Sequence, residues 1–218
     1  MLHANHATLL SVALSSIAFV GCGGSAEKSS SQIDAFPKIA NRWDNPNIPV
    51  CWEAGHAEFS QEKVWVEQKV KSQYEGATKI TFTGWNTCQT SDEGVRINIE
   101  DDGPHTKGLG KVLDGVKNGM RLNFTFNNWS TSCQNHPQRC IEGISVHEFG
   151  HAVGLAHEQN RPDTPDTCRG KEQGTQGDQT VGSWDLNSVM NYCNPVYNNN
   201  GNLTPEDIDG INLMYGNP

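Results

Sequence analysis

The chain has 218 residues, which suits one globular domain with a leader, and it carries a formal net charge of −9. No basic run occurs along it, which argues against nucleic acid as a partner. The acidic residues are spread out and fit a soluble surface.

Near the N-terminus, residues 9–20 form one apolar run, Leu-Leu-Ser-Val-Ala-Leu-Ser-Ser-Ile-Ala-Phe-Val. It is too short to span a bilayer and has the length of a signal-peptide core. The preceding stretch carries His3 and His6 but no Lys or Arg. Phe19-Val20-Gly21-Cys22 comes next and resembles a bacterial lipoprotein signal, which implies cleavage before Cys22 and a lipid on that residue. The alternative is an ordinary secretory signal cleaved nearby, and either one exports the protein. Residues 1–21 are therefore expected to be a signal peptide. Residues 22–40, rich in Gly and Ser and poor in apolar side chains, are expected to be a flexible tether. Any membrane attachment would run through Cys22, and the folded domain would occupy residues 41–218 as a monomer.

Removing Cys22 from seven cysteines leaves six, an even number that fits three disulfides in an exported chain. Six cysteines permit fifteen pairings. Cys133 with Cys140, Cys168 with Cys193 and Cys51 with Cys88 is the pairing expected here. The absence of any Cys-x-x-Cys pair argues against a structural zinc cluster.

In the domain, Ile48 to Trp52 reads as a first strand. Ser60 is expected to cap a helix running to about Glu75, with Val66, Val70 and Tyr74 as its buried stripe. Lys79 to Trp85, Val95 to Ile99 and Met120 to Phe126 alternate as strands, and Asp101-Asp102-Gly103-Pro104 is a turn. A second helix is expected from about Glu142. Residues 159–183 lack periodicity and read as a long loop. Thr204, Pro205, Glu206 and Asp207 announce a last helix, with Ile208, Ile211 and Tyr215 inward and Gly216 at its end. This order predicts an α+β domain, a twisted mixed sheet with helices packed on it.

The chemistry concentrates in residues 147–158, His-Glu-Phe-Gly-His-Ala-Val-Gly-Leu-Ala-His-Glu. His147 and His151 lie four apart, so on a helix both imidazoles share one face. Gly154 lets the chain leave the helix and bring His157 back as a third nitrogen ligand. Three imidazoles leave a fourth zinc position open, the pattern of a catalytic rather than a closed structural site. Glu148 sits beside the same metal.

This stretch, with Ser188-Val189-Met190-Asn191-Tyr192, resembles the metzincin clan of zinc endopeptidases, whose pattern is His-Glu-x-x-His-x-x-Gly-x-x-His. The resemblance implies a zincin fold with an active-site helix, a C-terminal helix and a methionine turn beneath the metal, matched by Met190. His157 to Asp163 and Tyr192 look like the astacins, whereas Leu203 to Ile211 with Tyr215-Gly216 looks more like the matrixins. The resemblance also implies one catalytic Zn2+ on His147, His151 and His157. Glu148 would act as general base toward the zinc-bound water, and Tyr192 would donate a hydrogen bond to the oxyanion. Protein or peptide substrates would lie extended along a sheet edge, with Thr106 to Val112 the candidate edge. Neither the cysteine-switch prosegment of matrixins nor the aspartate-bearing prosegment motif of astacins lies between Cys22 and Arg42. Glu158 matches the astacin glutamate that receives the new N-terminus, but is read here as a surface or helix-end carboxylate.

Two alternatives stand beside this reading. One is a catalytically silent surface lipoprotein that uses the same fold to bind partners, against which the intact Glu148 argues. The other is a gluzincin arrangement in which a downstream glutamate, Glu172 being the nearest, replaces His157. Calcium could be held among Asp163, Asp166, Asp178 and Asn198 to Asn202, although no calcium-loop spacing supports it.

Overall fold

Residues 35–218 are described by the structure, a computed structural model. The expected signal peptide, Cys22 and most of the tether lie outside the described residues. Strand β1 (Asn47–Trp52) sits between β2 (Thr81–Thr87) and β3 (Val95–Ile99), parallel to both. Strand β5 (Met120–Leu122) continues the parallel sheet beside β3, and β4 (His105–Thr106) closes it as an antiparallel edge. The order is therefore β2-β1-β3-β5-β4. The short strand β4 escaped sequence reading, because two residues carry no periodicity.

Helix α1 (Ser60–Tyr74) buries Val66, Val70 and Tyr74, one residue per turn on one face. Ser60 is its first helical residue rather than its cap. Phe59 occupies the cap position, and no side chain caps that end. Helix α2 (Thr131–Asn135) is short and capped by Ser130, whose side chain accepts from Cys133 N. Helix α3 (Pro137–Val153) starts five residues before the expected Glu142, with proline in its first turn, where no amide hydrogen bond is lost. Its first three residues, Pro137, Gln138 and Arg139, are exposed, so no apolar stripe marks its start.

Aromatic packing seats α3 on the sheet. Phe149 meets Phe82 edge-on at 4.8 Å and stacks on Trp85 at 5.5 Å, and Tyr74 meets Phe82 edge-on at 5.6 Å. The Tyr74 hydroxyl donates to Val146 O (2.7 Å), joining α1 to the middle of α3. All these rings except the half-buried Trp85 are fully buried.

Three further expectations are corrected. The strand expected to reach Phe126 stops at Leu122. Asn123 Oδ1 accepts from Thr125 N and Phe126 N and folds the chain into a turn. Residues 35–40, assigned to the tether, are packed onto the domain. Ala35 and Val181 exchange backbone hydrogen bonds, Ala156 N donates to Phe36 O, and Lys38 N donates to Gly154 O. Helix α4 (Pro205–Tyr215) turns Asp207, Gly210, Ile211 and Met214 inward, leaving Ile208 and Tyr215 half-buried. A capping box between Thr204 and Asp207 opens it.

The three disulfides are Cys51–Cys88, Cys133–Cys140 and Cys168–Cys193. The second ties α2 to α3, and the third ties the long loop to the segment after Met190.

Candidate metal centre and cleft

The helical spacing places His147 and His151 on the buried face of α3. At Gly154 the chain adopts φ 109°, a left-handed conformation that glycine takes without strain, and the helix ends. The reversal does two things. It returns the Leu155 carbonyl to His151, and it carries His157 over the helix. The ligand atoms of the three histidines lie within 4.8 Å of one another. His157 Nε2 is 3.2 Å from His147 Nε2 and 3.1 Å from His151 Nε2.

Each imidazole is held from behind. His147 Nδ1 meets Val189 O (2.8 Å), His151 Nδ1 meets Leu155 O (2.8 Å), and His157 Nδ1 meets Gln173 O (3.0 Å). A carbonyl can only accept, so each Nδ1 carries the proton and each Nε2 presents a lone pair. Three lone pairs then face one point at separations that repel unless a cation lies between them. Tetrahedral zinc with Zn–N near 2.0–2.1 Å sets nitrogen pairs about 3.3–3.4 Å apart, so the donor set fits that ion closely. Burial keeps the imidazoles neutral as ligation requires: His147 is pushed down to about 3, His151 is held well below the ordinary histidine value, and His157 is lowered too.

The groups behind the histidines were mostly not visible in the sequence. Asn160 and Gln173 exchange two bonds, Asn160 Nδ2 to Gln173 O (2.7 Å) and Gln173 N to Asn160 Oδ1 (2.9 Å). They fix the carbonyl that orients His157. Asp207 accepts from Ser188 Oγ (2.6 Å), Val189 N (3.0 Å) and Thr204 N (3.0 Å). It thereby holds the turn whose Val189 carbonyl orients His147, and burial raises it to about 6 despite those bonds. Met190 is buried in that turn. A Cβ added to Gly150 would stand 3.2 Å from Met190 Cε and closer still to Sδ. A glycine inside a helix was the available signal for Gly150, since it costs helix stability unless something approaches closely.

Glu148 is buried beside the histidines, and its Oε2 has no hydrogen-bond partner among the described residues. Desolvation alone raises its carboxyl to about 8. Tyr192 is 41% exposed, its ring stacked on His147 (5.4 Å, 18°) and tilted against His157 (4.5 Å). Desolvation, with the Glu148 charge, raises its hydroxyl to about 12, so it remains a donor at neutral pH.

Three sequence readings fare differently. Glu172 is exposed and accepts from Gly170 N; it does not join the histidines. Glu158 is buried rather than superficial. Its Oε1 accepts from Asp185 N and lies 3.4 Å from Arg161 Nε. Burial nevertheless raises it to about 8, against the pull of Arg161. The Arg161 guanidinium also donates to Ala35 O, Val181 O and Gly182 O, and so organises the long loop. The acidic residues considered for calcium are dispersed. Asp163 pairs with Arg161, Asp166 with Arg169, and Asp178 accepts from Ile39 N and Ala40 N. Among the described residues, the histidine triad is the only cluster of three or more His, Cys, Asp or Glu side chains placed to hold a metal.

The cleft over the triad has two adjoining hollows. One, of about 160 Å3, lies beside β4 and is walled by His105, Thr106, Leu109 and Thr175. The other, of about 410 Å3, runs past Glu148, Ile144 and Asn191 to Trp129 and Tyr197. Glu148 and Tyr192 line both. Of the expected edge Thr106 to Val112, Thr106 is in β4, while Gly110–Leu113 forms a 3-10 turn.

A family model described as "Dual-action HEIGH metallo-peptidase" matches residues 25–215. The embryonic protein UVS.2 of Xenopus laevis is 26% identical over 181 residues, 78% of this chain and 31% of its own length. The chain spans about a third of the length of the curated relatives it matches. Among solved structures, myroilysin is similar with a TM-score of 0.59 at 19% identity, covering 84% of this chain and 98% of myroilysin. High choriolytic enzyme 1, a hatching-enzyme zinc-protease of Oryzias latipes, is similar with a TM-score of 0.54 at 18% identity, covering 82% of this chain and 96% of that one. These likenesses show the expected metzincin-type fold.

Proposed function

The chain belongs to the HEIGH metallo-peptidase family, and on that premise we propose that it is a zinc endopeptidase whose one catalytic ion is held by His147, His151 and His157. The observation that carries the reading is the convergence of three Nε2 lone pairs, each imidazole locked by a backbone carbonyl at its Nδ1. Zinc, when bound there, supplies a Lewis acid that acidifies water and polarises a carbonyl.

The chain's own residues supply the rest. Glu148 is the general base: its unpartnered, buried Oε2 takes a proton from the attacking water and returns it to the leaving amine. A cation at the triad draws the Glu148 carboxyl down from the value that burial alone imposes, so it is ionised when needed. Tyr192 donates its hydroxyl to the tetrahedral oxyanion, a bond that counts most in the transition state. The outer edge of β4 pairs with an extended substrate, which fits a polypeptide rather than a small molecule. Three disulfides support export, because such bonds persist in oxidising compartments.

The test is direct. The purified chain should contain one zinc and digest denatured casein, with both lost on chelation and restored by added zinc. A chain that folds but retains no zinc would overturn the proposal. A second expectation concerns positioning. Asn160→Ala frees the Gln173 backbone, so zinc affinity should fall by about 10- to 100-fold in chelator competition. Unchanged affinity would show that the Gln173 carbonyl is held without Asn160.

A further inference from the structure

Next to the cleft over the triad lies a depression of about 550 Å3 that the proposed chemistry does not use. It shares a wall with the cleft, because Trp129 and Tyr197 line both. Their rings stand 6.4 Å apart at 51°, and they are 39% and 47% exposed. Two large aromatic rings left open to water beside a cleft are what a bound chain would cover. The Cys133–Cys140 bond is part of the floor. The far wall carries His136 and Arg139.

Arg139 is the informative residue. In a chain of net charge −9, its guanidinium is paired with no carboxylate among the described residues. Nε and Nη2 instead both donate to Asn200 Oδ1 (3.0 and 2.7 Å), a neutral acceptor that steadies the group and leaves its charge uncancelled. Asn200 is the third of three consecutive residues with positive φ, Asn198 to Asn200. That turn places Asn198 in the cleft and Asn200 at the depression. One turn therefore joins the two.

Helix geometry sets the distance. Arg139 precedes His147 by eight residues on α3, or about 12 Å along the axis. An extended peptide covers that span in about three to four residues at roughly 3.3 Å each. The surface does not close behind Arg139: a shallower hollow continues from Arg139 and Asn200 to Trp65 and Glu142. A substrate chain can pass on, which favours an internal acidic side chain over a terminal carboxylate.

We propose that the depression between Trp129, Tyr197 and Arg139 is a specificity subsite, which receives an aspartate or glutamate of the substrate about three to four residues from the scissile bond. The inference rests on the endopeptidase reading. The aromatic pair covers the peptide backbone and the aliphatic part of the acidic side chain. The guanidinium, already anchored on Asn200, turns its remaining N–H groups to the carboxylate.

The test uses one quenched fluorogenic peptide sequence, with Asp, Asn or Lys stepped through positions two to five on each side of the cleaved bond. Asp should exceed Asn in kcat/KM by about five-fold at one position, on one side only, and the advantage should shrink in 1 M salt. Arg139→Ala should remove the advantage, Arg139→Lys should keep part of it, and Arg139→Glu should transfer it to Lys. Arg139 is exposed, so these variants test recognition rather than folding. Equal rates for Asp and Asn at every position, or a preference untouched by Arg139→Ala, would overturn the subsite. A gain seen only for peptides ending at that position in a free carboxyl would overturn the side-chain assignment in favour of a terminus. The same peptides titrated onto the Glu148→Gln protein report binding without turnover. Equal affinities there sink the subsite whatever the kinetics show. Failure of the parent protein to cleave any peptide would instead count against the endopeptidase reading.

Discussion

Glu148→Gln should leave the protein folded with one zinc bound, and should lower kcat by about 10^2- to 10^4-fold, the range removed with a general base. Glutamine keeps the shape and the burial of the side chain but cannot accept the water's proton. The other candidates considered do not take its place. Glu158 is spent on Asp185 N and Arg161, Glu172 is exposed away from the triad, and Tyr192 holds its proton with a hydroxyl near 12. The assay is casein or peptide turnover beside zinc content on the same sample. Retained zinc with lost turnover supports the base role. Undiminished turnover would sink it, and so would a parent protein that binds peptide but never cleaves, the behaviour of a silent binding module.

The same substitution should move stability in the opposite direction once zinc is removed. Burial raises the Glu148 carboxyl from its ordinary 4.5 to about 8. The folded state therefore holds that proton more tightly than the unfolded state, and folding stability falls as pH rises from 4.5 to 8. Glutamine carries no such penalty. Chelated Glu148→Gln should thus be more stable than chelated parent at pH 7 to 8, and the difference should vanish below pH 4.5. In the proposed enzyme, activity would be maintained at the expense of a buried carboxylate that a cation at the triad stabilises.

The parts of the site that could be read from sequence are those encoded by local spacing. His147, His151, Gly154 and His157 lie within eleven residues, and helical periodicity with one left-handed glycine brings them together. Their supports are distant in sequence. Val189 O reaches His147 across 42 positions, and Gln173 O reaches His157 across 16. No periodic pattern signals that an asparagine will grip a backbone amide in a long loop. The burial of Glu158, which pairs with Arg161, is hidden from the sequence for a related reason. Its burial depends on Ala35 and on residues 181–182 folding over it, and nothing near 158 indicates that cover. The short span of β5 has a local cause that competes with alternation, the Asn123 side chain capturing the amides of Thr125 and Phe126.

Gly150→Ala should be the most damaging single methyl group in the site. Alanine ordinarily stabilises a helix interior relative to glycine by about 1 kcal/mol. At this position the new Cβ lies inside the contact distance of Met190 Sδ, 3.2 Å from Met190 Cε and 3.4 Å from the Tyr74 hydroxyl. Neither neighbour can yield freely. The Met190 side chain is 1% exposed, so Sδ and Cε can turn only within a packed core, and its backbone is fixed by its amide donating to Ser188 Oγ and its carbonyl accepting from Glu158 N. Tyr74 is fully buried and fixed on Val146 O. We expect the methionine turn to back away from α3 as that side chain is displaced, carrying Val189 O with it and loosening His147. We expect a net loss of about 3 kcal/mol in urea unfolding of the metal-free protein, an overpacking cost that outweighs the helix gain. Zinc affinity should also fall, since the turn and the ligand move together. Met190→Ala in the Gly150→Ala background opens the space again, so the double variant should recover zinc affinity while still lacking the methionine's own packing. If Gly150→Ala proved as stable as the parent, Met190 would not be pressed against α3, and the coupling between the turn and the triad would have to run through Asp207 alone.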